Sequence, residues 1–318
     1  MASSIDRVLR SNIKLRHLQL LVALDEFRHL GRTAEFMAVS QPAVSRMLTE
    51  VESMLQLDLF HRSSRGTEPT DAGAALVRFA KSVLAGYERT RDEIAANQSG
   101  ATGRTRVGCM VVALPALLAP AIARLKQQSA QATVLVEEGD LSWLLPRLRQ
   151  GEIDLFVGRL EPGYAAPDLV TEALYNEAMV VVVSPGHPLA RKRSPRWSDL
   201  AQHPCVLPPP WASLRVKLEQ QFFRHGLQPP ADVVETASFL ALSSMVHERL
   251  AVAFVAQSVA LRYAALGGFA ILKIPVPVDL PPVGLITLRG EQSTRITLQL
   301  MECLRETSKN ATQPAEAA

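Results

Sequence analysis

The sequence predicts an α/β chain in three parts: a small helical head, one long helix and a larger α/β region. Three observations carry that expectation. Residues 13–70 hold short helical patterns followed by a turn-rich stretch; residues 71–96 read as one uninterrupted helix; from Arg106 onward, apolar strand-like runs alternate with amphipathic segments. With 318 residues, 47% hydrophobic and 20% charged, the chain is long enough for two or three domains and too apolar for wholesale disorder.

In the head, Leu15, Leu18, Leu21 and Val22 share one helical face. A turn is expected around His29–Gly31, then a second helix carrying Thr33, Ala34, Met37 and Ala38 and ending at Val39. Ser40 is placed to cap a third helix. Pro42 suits its first turn, where a missing amide costs nothing. Val44, Leu48, Val51 and Leu55 form that helix's apolar stripe. The opposite face presents Gln41, Ser45, Arg46 and Thr49. These side chains are short enough to enter a major groove and polar enough to read base edges. An ordinary solvated face has a similar composition, but the next segment shifts the balance toward the groove. Leu57, Leu59 and Phe60 alternate as a short strand does, and a basic turn, HRSSRG, precedes TEPTDAG. A hairpin with Arg62 and Arg65 at its tip makes a wing suited to phosphates, adding affinity and register but little sequence information.

Overall charge does not make this case. The net charge is +3, and residues 1–96 carry 13 Lys/Arg against 12 Asp/Glu, a net of +1. Any nucleic-acid surface rests on local clustering. Cys109, Cys205 and Cys303 lie far apart with no CxxC, which speaks against a disulfide framework or zinc site and fits a reducing compartment. The first residues have no apolar core of secretory length, and no run approaches the roughly 18 apolar residues of a membrane span. A cytoplasmic protein is expected, with no metal, cofactor or membrane contact.

Thr70 and Asp71 suit the start of the long helix. Ala72, Leu76, Phe79, Val83, Tyr87 and Ile94 recur at steps of three, four or seven, flanked by charges from Arg78 to Glu93. Such a seam needs a partner: a second copy of itself is the simplest, and the chain's own head is the alternative. Asn97–Arg106 has the Gly/Ser/Thr content of a hinge, and Asn310–Ala318 that of a frayed tail. Beyond the hinge, Arg106–Val112, Thr133–Glu138 and Ile153–Val157 read as strands. Leu114–Gln128 and Leu141–Gln150 read as helices, the second capped by Asp140. That order gives a small open parallel sheet, whose ligands bind near the carboxyl ends of strands.

AEFMAVSQPAVSRMLTEVE, then LDLFHR, then PTDAG resembles the N-terminal signature of LysR-type regulators. GEIDLFVGR, VVVSPGHPLA and ETASFLALSSMV followed by AVAFVA resemble the effector domain of the same family. The resemblance covers residues from about 15 to about 305. ALPALLAPAIARL, VLPPPWASLR and VVETASFLAL further resemble the branch of regulators of sugar-binding-protein and aromatic-acid genes.

The fold this implies is a winged helix-turn-helix, a long linker helix and a two-lobed α/β effector domain like a type 2 periplasmic binding protein. The boundaries expected are 1–70 for the DNA-binding domain, 71–96 for the dimerising helix, 97–105 for the hinge, 106–307 for the effector domain and 308–318 for the tail. The resemblance places Ser40, Gln41, Pro42, Ala43, Ser45 and Arg46 at the DNA interface and Arg62 and Arg65 in the wing. Arg32, Thr33 and Thr49 complete that set. This sequence departs from the family pattern at Arg28 and His29, where a Gly-Ser type turn is usual, and at Thr33 and Glu68.

For the cleft, the resemblance implies Val111, Val112, Ala113 and Leu114 after the first strand, and Arg159 at another strand end. Trp211, Ser213 and Arg215 fall in a second-lobe loop, and Thr236 and Ser238 in a strand-to-helix turn. Ser213, Arg215, Thr236 and Ser238 are candidate donors to a polar or anionic ligand, and Trp211 a stacking or rim aromatic. Arginines such as Arg159 and Arg215 are more often solvated or ion-paired than ligand-binding. Many family members carry a Ser or Thr in the first-strand loop to bond an effector carboxylate; Cys109–Ala113 offers no hydroxyl. Cys109 and Cys205 admit a redox-sensor reading, although buried small hydrophobes are commoner.

The function implied is a DNA-binding regulator, with activation the commoner family behaviour. Its effector would be a sugar, a sugar acid or an aromatic or other organic acid. The partners are double-stranded DNA with an imperfect dyad, the effector, further copies in a dimer or tetramer, and RNA polymerase as a further candidate. A solute-binding protein would leave the head without a role. An enzyme finds no GxSxG, P-loop, HExxH or fitting GxGxxG, and no catalytic residue is assigned.

Overall fold

The computed structural model describes residues 2–63, 66–99, 103–210, 212–248 and 251–311. The head comprises α1 (Ala2–Ser11), α2 (Leu15–Phe27), α3 (Leu30–Phe36), α4 (Gln41–Leu55) and a hairpin of β1 (Phe60–Ser63) and β2 (Gly66–Pro69). Val44, Leu48 and Val51 of α4 are fully buried against Leu20, Leu21 and Leu24 of α2. Each such side chain contributes about 1.5–3 kcal/mol by leaving water.

The turn between α2 and α3 lies earlier than expected, and two unusual residues explain it. Arg28 takes the left-handed conformation at φ 51°, and its guanidinium pairs with Asp25 at 2.7 Å. His29 then caps α3, its Nδ1 accepting from the Gly31 amide at 3.0 Å. Arg28 and His29 thus do the work of a Gly-Ser turn by other means. The helix they start ends at Phe36, not Val39, and Ala38 makes the next turn at φ 53°.

α5 (Asp71–Ser99) follows, its first turn held by the Thr70 hydroxyl, which accepts from the Gly73 amide at 3.0 Å. A Cβ at Gly73 would lie 1.9 Å from the Leu59 carbonyl, so only glycine lets the helix seat there. α5 runs three residues beyond its expected end. The next strand begins at Arg104, so helix and sheet take up most of the expected hinge.

Two α/β lobes complete the chain. The first opens with β3 (Arg104–Cys109), a tight helical turn at Val111–Ala113 and a wider one at Leu114–Leu118 that leads into α6 (Ala119–Gln128). β4 (Thr133–Glu138), α7 (Leu141–Arg149), β5 (Leu155–Arg159) and β6 (Leu169–Tyr175) follow. The chain then crosses to the second lobe: β7 (Met179–Val183), α8 (Trp197–Leu200), β8 (Cys205–Leu207), α9 (Ser213–Arg224), β9 (Val233–Glu235), α10 (Phe239–Glu248), β10 (Val252–Ala256), α11 (Gln257–Ala265) and β11 (Ala270–Leu272). It returns as β12 (Val283–Leu288) and ends in α12 (Arg295–Ala311), which takes the first residues of the expected tail.

The sheets run β4-β3-β5-β12-β6 and β11-β7-β10-β8-β9. β3 is parallel to β4 and β5, as the sequence implies, but β12 is antiparallel to β5 and β6, so the sheet is mixed. The second sheet repeats the plan: β8 is parallel to β9 and β10, while β7 is antiparallel to β10 and β11. The antiparallel members flank the two crossings between lobes, near residues 176–178 and 273–282. A core through Val107, Leu155 and Val283 continues into Val181, Leu207 and Val252 of the second lobe.

Candidate DNA interface and effector cleft

The stripe that buries Val44, Leu48 and Val51 turns the opposite face of α4 outward. Gln41, Arg46 and Thr49 are exposed and Ser45 is half-exposed. Pro42 is exposed in the first turn and Ala43 half-buried. Ser40 occupies the capping position, but its hydroxyl makes no cap bond. Thr49 donates its hydroxyl to the Ser45 carbonyl at 3.0 Å. The wing joins this face directly: Arg62 Nη1 donates to Ser45 Oγ at 3.0 Å.

At the base of the wing, the Thr67 amide donates to the Arg28 carbonyl at 2.9 Å. Glu52, which the sequence reading passed over, accepts the Leu59 amide at 2.9 Å and the Phe60 amide at 3.3 Å, fixing the strand that carries Arg62. Arg32 is exposed, and among the described residues Arg32, Arg46 and Arg62 enter no ion pair. Thr33 corrects the expected set. It is fully buried, its hydroxyl donating to the His29 carbonyl at 3.0 Å, so it packs α3 and has no route to a duplex. Arg65 lies outside the described residues.

The expected seam of α5 divides. Leu76 is only 8% exposed, and Ala72 and Val83 pack beside it on the chain's own head. Phe79, Tyr87 and Ile94 are 41%, 48% and 54% exposed. Further along, α5 is clasped to the first lobe. Arg89 donates to the Gly151 carbonyl at 3.1 Å and lies 3.9 Å from Asp154 and 3.5 Å from Glu291, while Arg106 pairs with Glu88 at 3.2 Å.

Between the lobes lies a cavity of about 420 Å³. Val111 and Val112 line it, as expected, beside Met110. Ala113 and Leu114 do not: the tight turn points Ala113 into the core, fully buried, and packs Leu114 against the same core. Ser213, Thr236 and Ser238 line the opposite wall. Thr236 Oγ1 accepts from the Ser238 amide at 3.0 Å, and Ser238 Oγ from the Ala241 amide at 3.3 Å, ordering the start of α10.

Arg215 is the second correction. It points away from the cavity, held by Glu219 at 2.6 Å, Glu235 at 2.8 Å and the Pro208 carbonyl at 3.1 Å. Trp211 lies outside the described residues. The sequence reading missed Glu161, which lines the cavity two residues past Arg159 and accepts from Ser213 Oγ at 3.4 Å across the lobes.

Arg159 does line the cavity and is buried. Its Nη1 donates to the Pro281 carbonyl at 2.9 Å, and its Nη2 to the Glu177 carbonyl at 3.2 Å. Burial draws its pKa below the usual arginine value, partly offset by Glu177, Glu161 and Tyr175. Burial also pushes the thiols of Cys109 and Cys205 up to about 12, opposite to what a redox switch requires. Among the described residues, no His, Cys, Asp and Glu side chains cluster as a metal site would need.

A winged helix-turn-helix on a long helix, followed by two lobes around a ligand-sized cleft, defines a DNA-binding regulator with an effector domain. The chain belongs to the LysR family. Residues 15–74 match the model for bacterial regulatory helix-turn-helix proteins of the lysR family, and residues 98–309 match the LysR substrate binding domain. It is 33% identical over 284 residues to the transcriptional regulator GbpR of Azospirillum brasilense, covering 88% of this chain and 82% of that protein. It is 32% identical over 292 residues to the transcriptional regulator GalR of Pseudomonas putida, covering 92% of this chain and 73% of that one. The fold is that of crystalline CbnR, a LysR family regulator: TM-score 0.70 at 22% identity, over 93% of this chain and 99% of that chain. Its homologues are transcriptional regulators, not enzymes.

Proposed function

We propose that this chain is a cytoplasmic transcription activator that grips an imperfect dyad operator as a dimer or dimer of dimers, under the control of a small molecule held between its lobes. Gln41, Ser45, Arg46 and Thr49 read base edges in the major groove. Arg32, Ser40, Pro42 and Ala43 lie against the duplex beside them. Arg62 and Arg65 meet phosphates. Residues 1–70 form the DNA-binding unit, and 106–307 the effector unit. The exposed Phe79, Tyr87 and Ile94 pair α5 with its copy, and a two-fold pair calls for two half-sites. CbnR has been crystallised with its target DNA, which supports this reading.

The effector is a sugar, a sugar acid or an aromatic or other organic acid. Its binding shifts the lobes and the subunits they carry, and so the spacing of the heads and the bend of the DNA seen by RNA polymerase. Among the described residues no helix is long and apolar enough to cross a membrane.

The observation that carries the proposal is the Arg62–Ser45 contact, which makes helix and wing one polar surface whose cations Arg46 and Arg62 enter no ion pair among the described residues. Arg46→Ala tests it in a gel shift on promoter DNA beside the gene. Specific binding should weaken roughly tenfold to a hundredfold. The melting midpoint should hold, because Arg46 is exposed. Wild-type affinity would remove α4 from the groove.

A further inference from the structure

The cavity between the lobes carries two opposite charges that do not meet. Arg159 is 6% exposed, yet its described contacts are all with neutral acceptors: the carbonyls of Pro281 and Glu177 and, at 3.8 Å, the sulfur of Met179. Among the described residues no carboxylate lies within ion-pair distance of it. A buried guanidinium is costly when its nearest carboxylates, Glu177 and Glu161, act on it only from beyond ion-pair distance, and its donors form a planar fork that matches a carboxylate. Glu161 lies on the same wall, and among the described residues the one hydrogen bond to its carboxylate is the long contact from Ser213 Oγ. Asp140 also lines the cavity, but its Oδ1 already accepts from the Trp143 amide at 3.0 Å and the Ser142 hydroxyl at 2.6 Å.

The rest of the lining is largely apolar: Met110, Val112, Met179, Leu242, Phe254 and Val259. A neutral sugar would set hydroxyls against these walls and give Arg159 no anion. A plain fatty acid would satisfy Arg159 but offer Glu161 no donor. At about 420 Å³ the space is in the lower part of the range of small-molecule sites, about 300–1,000 Å³.

We propose that the cleft takes a compact carboxylic acid: its carboxylate sits on Arg159, its apolar body fills the walls, and a hydrogen-bond donor remote from the carboxylate reaches Glu161. This rests on the reading of the cleft as the effector site and narrows it to one chemical class. Arg159 is placed to report the anion, since Glu177 and Pro281 belong to the two segments that cross between the lobes.

Calorimetry on the full chain tests this. The probes are para-hydroxybenzoate, para-hydroxyphenylacetate and a six-carbon ω-hydroxy fatty acid, each beside its primary amide, with galactose as the neutral sugar. At least one acid should bind about tenfold or more tightly than its amide. This comparison needs no variant, so it stands even if Arg159→Gln fails to fold. Where Arg159→Gln folds, the preference should vanish. Glu161→Met should weaken the preferred hydroxy acid severalfold while leaving its dehydroxylated analogue unchanged. Ser238→Trp, which fills the cleft, should abolish binding. No acid binding, or equal affinity for acid and amide, overturns the proposal. Galactose binding lost in Ser238→Trp but kept in Arg159→Gln overturns the acid and keeps the cleft. Acid binding that survives Ser238→Trp overturns both.

Discussion

The DNA-facing head and the effector cleft are built in opposite ways. The head places its outward polar residues on one helix, at Gln41, Ser45, Arg46 and Thr49, and the stripe buried behind them fixes their direction. The cleft gathers side chains from stretches as far apart as Met110 and Leu280, drawn from strands, helices and loops of both lobes. The groove-reading face depends on the packing of one helix, with the wing joined to it through Arg62 and Ser45, whereas a cleft depends on two sheets and the crossings between them. Leu48→Ala sharpens this contrast. It deletes a fully buried side chain of the head and should cost about 2–5 kcal/mol. Calorimetric melting should show an earlier transition for the head, with DNA affinity reduced and ligand binding by the lobes intact. Parallel loss of ligand binding would show that the clasp from Arg89 to Gly151 and Asp154 makes the chain one cooperative unit.

The contrast recurs within α5. Its first half is committed to the head through Leu76, Val77 and Ala80, while Phe79 and Ile94 face outward. Phe79→Asp with Ile94→Asp should weaken dimerisation, seen by sedimentation, roughly a hundredfold or more, since each chain loses two apolar anchors of a paired seam. The head should melt as before. Leu76→Asp would instead melt the head, so it cannot serve as a probe of dimerisation. A dimer that survives the outward pair of changes would shift the contact to the lobes.

Sequence periodicity revealed the head because the helical repeat sorts residues into faces without knowledge of the fold. The stripe Val44, Leu48, Val51 and Leu55 is buried in full, and the cap at Asp140 and strand β4 fall where the pattern puts them. What periodicity could not supply was direction at loops and at small residues. Thr33 and Ala113 each lie next to exposed or half-exposed residues, and only tertiary packing turns them inward. Arg215 was a candidate ligand donor until its partners Glu219 and Glu235 were placed beside it, the second on a separate strand. The seam of α5 looked continuous because a seven-residue spacing does not say which neighbour covers each position. The antiparallel strands β6 and β12 could not be told from parallel ones, since the chain's excursion through a second lobe leaves no local signal.

The clasp between linker helix and first lobe also sets a small pH dependence. Asp154 accepts the Arg106 amide at 2.7 Å and lies 3.9 Å from Arg89, both of which favour its charged form. Burial opposes them and dominates, with Glu291 adding to it, so the carboxyl is held above its ordinary value of 3.8. The folded chain therefore holds this proton more tightly than the unfolded chain. The stability this site contributes is complete below the ordinary value and is lost as pH rises through the raised one. Asp154→Asn removes that dependence and leaves an oxygen to accept the Arg106 amide. Melting midpoints of both proteins, followed upward from mildly acidic pH, should show the wild type losing ground to the variant and then running parallel to it. A wild type that gains on the variant would mean that attraction to Arg89 outweighs burial, and that the clasp stabilises the junction through charge.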